Sequence, residues 1–182
     1  MPVLATEDKC FKFLVTDNTA EGELLSNEVN AKIIKVNEAL RQIGHRQVNV
    51  SAREFHDYMT AEIFSDDPTT LRDVLGNECI MIHELVEIDE LKRIGRRIDK
   101  HVIMKTPKIP FYTAHFDAME TELKCALQKG DTYWVKIRLR MHRESVLGDD
   151  PNLPEELRPR AQEMYEQYRR LAKQASEKPA KL

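Results

Sequence analysis

MIHELVEIDELKRIG, residues 81–95, decides how the chain is read. Ile80, Met81, Ile82, Leu85, Val86 and Ile88 make this stretch apolar almost all round, the pattern of a helix inside a bundle rather than on its surface. Yet it carries His83, Glu84 and Glu87. On a helix His83 and Glu87, four apart, share a face, and Glu84 stands three residues before Glu87. A carboxylate buried without a partner costs several kcal/mol, so such groups need charge or hydrogen bonds around them. A divalent cation offsets that cost, and nitrogen with oxygen donors suits Mn, Fe, Co, Ni or Zn better than Ca or Mg. The competing reading makes Glu84, Glu87 and Glu90 the wet face of an amphipathic helix, with His83 hydrogen-bonded at its edge.

The neighbouring segments read as further helices. Leu24, Leu25, Val29, Ile33, Ile34, Val36, Leu40 and Ile43 keep a helical period that Gly44 stops. HRQVNV, residues 45–50, is a short connection with extended character. Ser51 followed by Glu54 is a capping box that opens a helix over SAREFHDYMTAEIFS, and SDDPTT is a second start signal with Pro68 in a first turn. The next helix breaks at Gly76-Asn77, resumes at Glu78 and ends at Gly95. Pro107 and Pro110 frame a loop, after which FYTAHFDAMETELKCALQ forms a helix closed by Gly130. TYWVKIRLRMHRESVLG, whose YWVKIRLR alternates like a strand, is assigned to a helix by its neighbourhood, with Trp134 as a core anchor. A long charged helix covers about 154–177, before a tail at 178–182. CFKFLV, residues 10–15, fits either a strand or a helix start. The expected fold is mainly α: one helical domain over 1–182, with a core at about 21–145.

Composition narrows the function. At 182 residues the chain suffices for one substantial core, and its six glycines leave little room for a glycine-rich phosphate loop. The formal charge of −3 argues against nucleic acid as a partner, although Lys136, Arg138 and Arg140 alternate. No apolar run reaches the roughly 20 residues needed to cross a bilayer, so no membrane partner is expected. Cys10, Cys79 and Cys125, widely spaced and odd in number, read as reduced thiols of a cytoplasmic protein.

A second polar cluster lies in AHFDAMETEL. His115 and Glu122, seven apart, share one helix face, while Asp117 and Glu120 share another; one face can point inwards and the other should meet water. His56-Asp57 is a third candidate.

The order REFHDYM, IMIHELVEID, AHFDAMETELKCAL resembles the HD-domain metal-dependent phosphohydrolases, nearest to their small nucleotidase-like branch, over about residues 50–130. The resemblance implies an HD-like helical fold and a divalent transition metal held by His56, His83, Glu84 and Asp117. It also implies Glu87 as the group that orients or deprotonates a water, and a small phosphorylated substrate such as a nucleotide. Arg93, Arg96 and Arg97, in the basic run KRIGRRIDKH, would then bind the substrate phosphate. The same run also reads as the ordinary cationic complement to a helix C-terminus. Glu84 stands where the family has aspartate, the interval from His56 to His83 is short for it, and EIDELKRIG replaces its Gly-Asp. The alternative is a non-catalytic helical module that homodimerises or binds a partner through the last helix, whose Met164, Tyr165, Tyr168 and Leu171 form an apolar stripe.

Overall fold

The fold is built around α4 (Glu78–Arg93) and α6 (Lys108–Gln128), which pack against each other more extensively than any other pair. The computed structural model describes residues 20–64, 69–148 and 150–177. The other elements are α1 (Ala20–Gln42), α2 (Ala52–Met59), α3 (Leu71–Gly76), α5 (Val102–Lys105), α7 (Thr132–His142) and α8 (Arg158–Glu177). A π-helical stretch continues α7 over Arg143–Gly148, and a short 3-10 turn over Glu155–Leu157 precedes α8. Among the described residues no strand occurs, so the chain is a mainly α bundle. CFKFLV, Cys10, Pro68 and the tail at 178–182 lie outside the described residues.

Local chemistry explains why α4 begins and ends where it does. Asn77 closes α3 and caps α4, its Oδ1 accepting from the N–H groups of Cys79 and Ile80 at 2.9 and 3.2 Å. At the other end Gly95 takes φ 81°, and the Arg96 N–H reaches back to the Leu91 carbonyl at 3.0 Å. Such a reversal needs the left-handed region that a side chain resists. Between these ends Ile82, Leu85, Val86, Ile88 and Leu91 have no exposed surface. The helix is therefore the central rod that its all-round apolarity predicts.

The flanking elements follow their own signals. Ser51 and Glu54 form the expected capping box, but α2 ends at Met59, short of the expected helix. At α3 the start is a capping box of Thr70 and Asp73 that was not foreseen from the sequence. Residues 45–50 form no strand. Asn37 on α1 instead exchanges two side-chain hydrogen bonds with the Val48 backbone, and the buried Asp89 accepts from the Asn49 N–H at 2.9 Å. Arg46 ion-pairs with Asp89 and, at 2.6 Å, with Glu90. In α1, Val29, Ile33, Val36 and Leu40 face the core, whereas Leu24 and Ile34 face solvent.

One loop expectation is corrected. Pro107 and Pro110 do not frame a loop: α6 starts at Lys108, and Pro110 sits in its first turn, where a helix has no use for the missing N–H. α7 is a helix despite its alternating pattern, because only Val135, Leu139 and His142 turn to the core while Arg138 turns inward for a charged partner.

Leu85→Ala is expected to destabilise the protein by about 2–5 kcal/mol in urea titration, whereas Ile34→Ala, on the exposed face of α1, should change it by less than about 0.5 kcal/mol.

Candidate metal centre

The polar groups that α4 carries into the core meet partners from three other helices. The His83 side chain is 4% exposed and that of Glu87 3%, while His115 from α6 is 25% exposed and forms the side open to solvent. His83 Nε2 lies 3.1 Å from Glu87 Oε2 and 3.2 Å from His115 Nδ1, and His115 Nδ1 lies 3.0 Å from the same Glu87 oxygen. These three donor atoms form a nearly equilateral triangle, a group that could hold a metal ion.

Around the triangle, further partners hold His83 and Glu87 in place. The other nitrogen of His83, Nδ1, faces Glu122 Oε2 at 3.0 Å. Glu122 has no exposed surface, and its other oxygen accepts from the Trp134 indole N–H at 2.7 Å and from Arg138 Nε at 2.8 Å. Tyr58, on α2, donates its hydroxyl to Glu87 Oε1 at 2.7 Å, leaving Oε2 for the triangle. Buried histidine ligands of metals commonly donate their remote N–H to a carboxylate in this way, which fixes the tautomer.

The electrostatics of the metal-free cluster follow from these contacts. Burial alone would lower the His83 pKa, but hydrogen bonds to Glu122 and Glu87, with the nearby charge of Glu84, raise it to about 10. Burial would raise Glu87, yet His115 and His83 hold it well below the usual carboxylate range. Glu122 is likewise pushed up by burial and brought below its ordinary value by Arg138 and His83.

The donor set fits a first-row transition metal. A cation about 2.1 Å from each donor spaces them about 3.0 Å apart at octahedral right angles and about 3.4 Å apart at the tetrahedral angle. The observed edges run from 3.0 to 3.2 Å. Two imidazoles and one carboxylate match the donor preferences of Zn, Fe, Mn, Co and Ni.

Of the residues expected to hold a metal, only His83 lies in this triangle, and Glu87 joins it as a potential ligand. His56, on α2, has Nδ1 4.0 Å from Asp57 and a buried Nε2 without a hydrogen-bond partner, away from the converging donors. Glu84 is half-buried and acts on His83 through its charge. Asp117 turns away: it accepts from Arg160 Nη2 at 2.6 Å, and Glu120 accepts from the same nitrogen at 3.3 Å. The reason is helical geometry, since His115 and Asp117 stand about 200° apart around α6 while His115 and Glu122 nearly superpose. Of the phosphate-binding candidates, Arg93 is exposed and pairs with Glu90 at 3.2 Å, Arg97 is exposed, and Arg96 is half-buried with no partner for Nε. Trp134, expected as a core anchor, and Arg138, expected in a surface alternation, are the clamps on Glu122.

The chain matches no family model, no curated protein and no solved structure.

The His83 contribution to stability in the metal-free protein is fully present below the unfolded value of 6.5 and lost as pH rises through about 10. Urea midpoints measured in chelator should therefore fall between pH 7 and 10, and His83→Gln, though less stable overall, should lose that slope.

Proposed function

We propose that this protein is a metal-dependent hydrolase of small phosphate esters, with a divalent transition metal held by His83, Glu87 and His115. The convergence of those three donors, with the remote nitrogen of His83 tied to Glu122, is the observation that carries the reading. The phosphohydrolase chemistry comes from the HD-like order of motifs in the sequence. The ligand set proposed here differs from that family's pattern, with His115 taking part and His56 and Asp117 standing outside.

In this reading a bound cation supplies Lewis acidity, polarising a phosphoryl oxygen and acidifying a water. The chain's own groups do the rest. Glu122 keeps the proton on His83 Nδ1, so that Nε2 presents its lone pair to the cation. Tyr58 holds one oxygen of Glu87 and leaves the other to bind. Glu84, half-buried beside His83, is the carboxylate assigned to take the proton from the attacking water. Burial of His83 and Glu87 keeps bulk water from that side, and substrate enters where His115 is exposed. Arg93, at the last residue of α4 and about 15 Å along the helix from His83, and Arg96 and Arg97 beyond it stand too far from the triangle to touch a phosphate held there.

A second reading has an observation in its favour. His83 and Arg138 as cations balance Glu87 and Glu122 as anions, so the cluster can neutralise itself as a buried structural network in a non-catalytic helical module.

Metal analysis by mass spectrometry separates the two. Wild-type protein should carry near-stoichiometric Mn, Fe, Co, Ni or Zn, His83→Ala and His115→Ala should carry none, and Asp117→Asn should match the wild type. Glu122→Gln should weaken binding by about 10–100-fold in chelator competition. A phosphatase screen on the loaded protein then tests the activity. Empty wild-type protein, even after incubation with these metals, leaves the structural network as the better account.

A further inference from the structure

Away from the His83 cluster, α7 and α8 enclose an open groove of about 430 Å³. Its floor is apolar, made by Leu139, Ala172 and the ring of Tyr165. Its walls are basic: Lys136, Arg140 and Arg143 rise from the α7 side, and Arg169 and Lys173 from α8. Glu177 is the single carboxylate in the lining. In a chain of net charge −3, this gathering of cations is a local reversal of sign.

Little within the protein compensates these charges. Arg143 approaches Glu144 at 3.8 Å, Arg169 approaches Glu166 at 2.9 Å and Lys173 approaches Glu177 at 4.0 Å, all pairs at the surface. Such exposed pairs contribute little and exchange readily for another anion. Among the described residues Lys136 and Arg140 have no carboxylate within 4.0 Å, and both are exposed. Charge placed on one wall for solubility alone would be expected opposite acids on the other; like charges facing across a groove repel and oppose packing of the two helices. That repulsion is relieved when an anion lies between the walls.

We propose that this groove binds a linear polyphosphate chain, either inorganic or the triphosphate of a nucleotide. From Lys136 to Arg143 the α7 wall runs about 10 Å at helical rise, enough for several consecutive phosphates. Its three arginines offer planar forks suited to phosphate oxygens. The volume is that of a small-ligand site. Single-stranded nucleic acid fits less well, because it needs successive aromatic platforms. Here one ring, Tyr165, lines the groove, and the Arg169 guanidinium already lies 6.0 Å from its centroid. The site is independent of the metal centre, since Arg138, which clamps Glu122, points from the opposite face of α7.

The test is calorimetric titration of the full chain in excess chelator, so that the metal centre cannot take the phosphate. Sodium tripolyphosphate, ATP, AMP and sulfate are compared at matched ionic strength, together with a single-stranded oligonucleotide. Tripolyphosphate and ATP should bind saturably and AMP and sulfate far more weakly. The double variant Lys136→Glu, Arg140→Glu should bind at least tenfold more weakly, while its ligand-free melting temperature stays equal or rises. Equal affinity for the two triphosphates assigns recognition to the phosphate chain alone, whereas tighter ATP binding assigns part of it to the nucleoside; both outcomes support the site. His83→Ala should bind tripolyphosphate like the wild type, which keeps this result separate from the fate of the metal reading. The proposal is overturned if neither triphosphate binds, if the double variant binds unchanged, or if only the oligonucleotide saturates the groove.

Discussion

The carboxylate of Glu122 is the point on which the interior depends. It lies on α6 with no exposed surface, and it stays charged because α4 brings His83 to one oxygen while α7 brings Trp134 and Arg138 to the other. A buried carboxylate held by three donors is tolerable; the same carboxylate after loss of one partner is strongly destabilising. The relative register of α4, α6 and α7 is thus set by hydrogen-bond satisfaction as much as by apolar packing. A slide of one turn between α4 and α6 would still bury apolar side chains, but it would set Glu122 opposite Cys79 or Glu87 instead of His83. The apolar surface makes the helices associate, and the polar cluster selects one way of doing so.

The same cluster sets the terms on which a cation could enter. In the metal-free state His83 is held protonated by its two carboxylates, so a cation must displace the proton on Nε2. Exchanging one proton for a divalent ion adds a positive charge to a network that was balanced. Glu84, next to His83 on α4 and already acting on it through its charge, would supply the compensating negative charge. This gives Glu84 a physical reason to sit half-buried beside the triangle whether or not it takes part in proton transfer.

The sequence made the helices legible because their signals are local. Apolar periodicity, the capping box at Ser51 and the stop at Gly95 each act within a few residues of the backbone they control. Pro110 was misread because proline is punctuation in a loop but acceptable in a first turn, and only the position of the helix start distinguishes the two. For the site, the shared face of His115 and Glu122 was visible in their spacing, whereas the resemblance to a known motif order favoured Asp117, which α6 turns towards Arg160. Helical phase was the better guide here. Tyr58, Trp134 and Arg138 left no such mark, because their roles arise from contacts between helices far apart in sequence.

α7 shows how one element can carry two charge arrangements with opposite consequences. Its inward face presents Arg138 to a buried acid, where low dielectric strengthens the attraction and each charge is matched. Its outward face presents Lys136 and Arg140 to solvent and to the basic side of α8, and among the described residues neither has a carboxylate within 4.0 Å. The first arrangement stabilises the fold and the second opposes it. Surface charges that oppose folding are ordinarily few, since replacing either lysine or arginine by a neutral residue would remove the repulsion at once. Cations gathered on two adjoining helices around one apolar floor therefore point to a balancing charge from outside the chain.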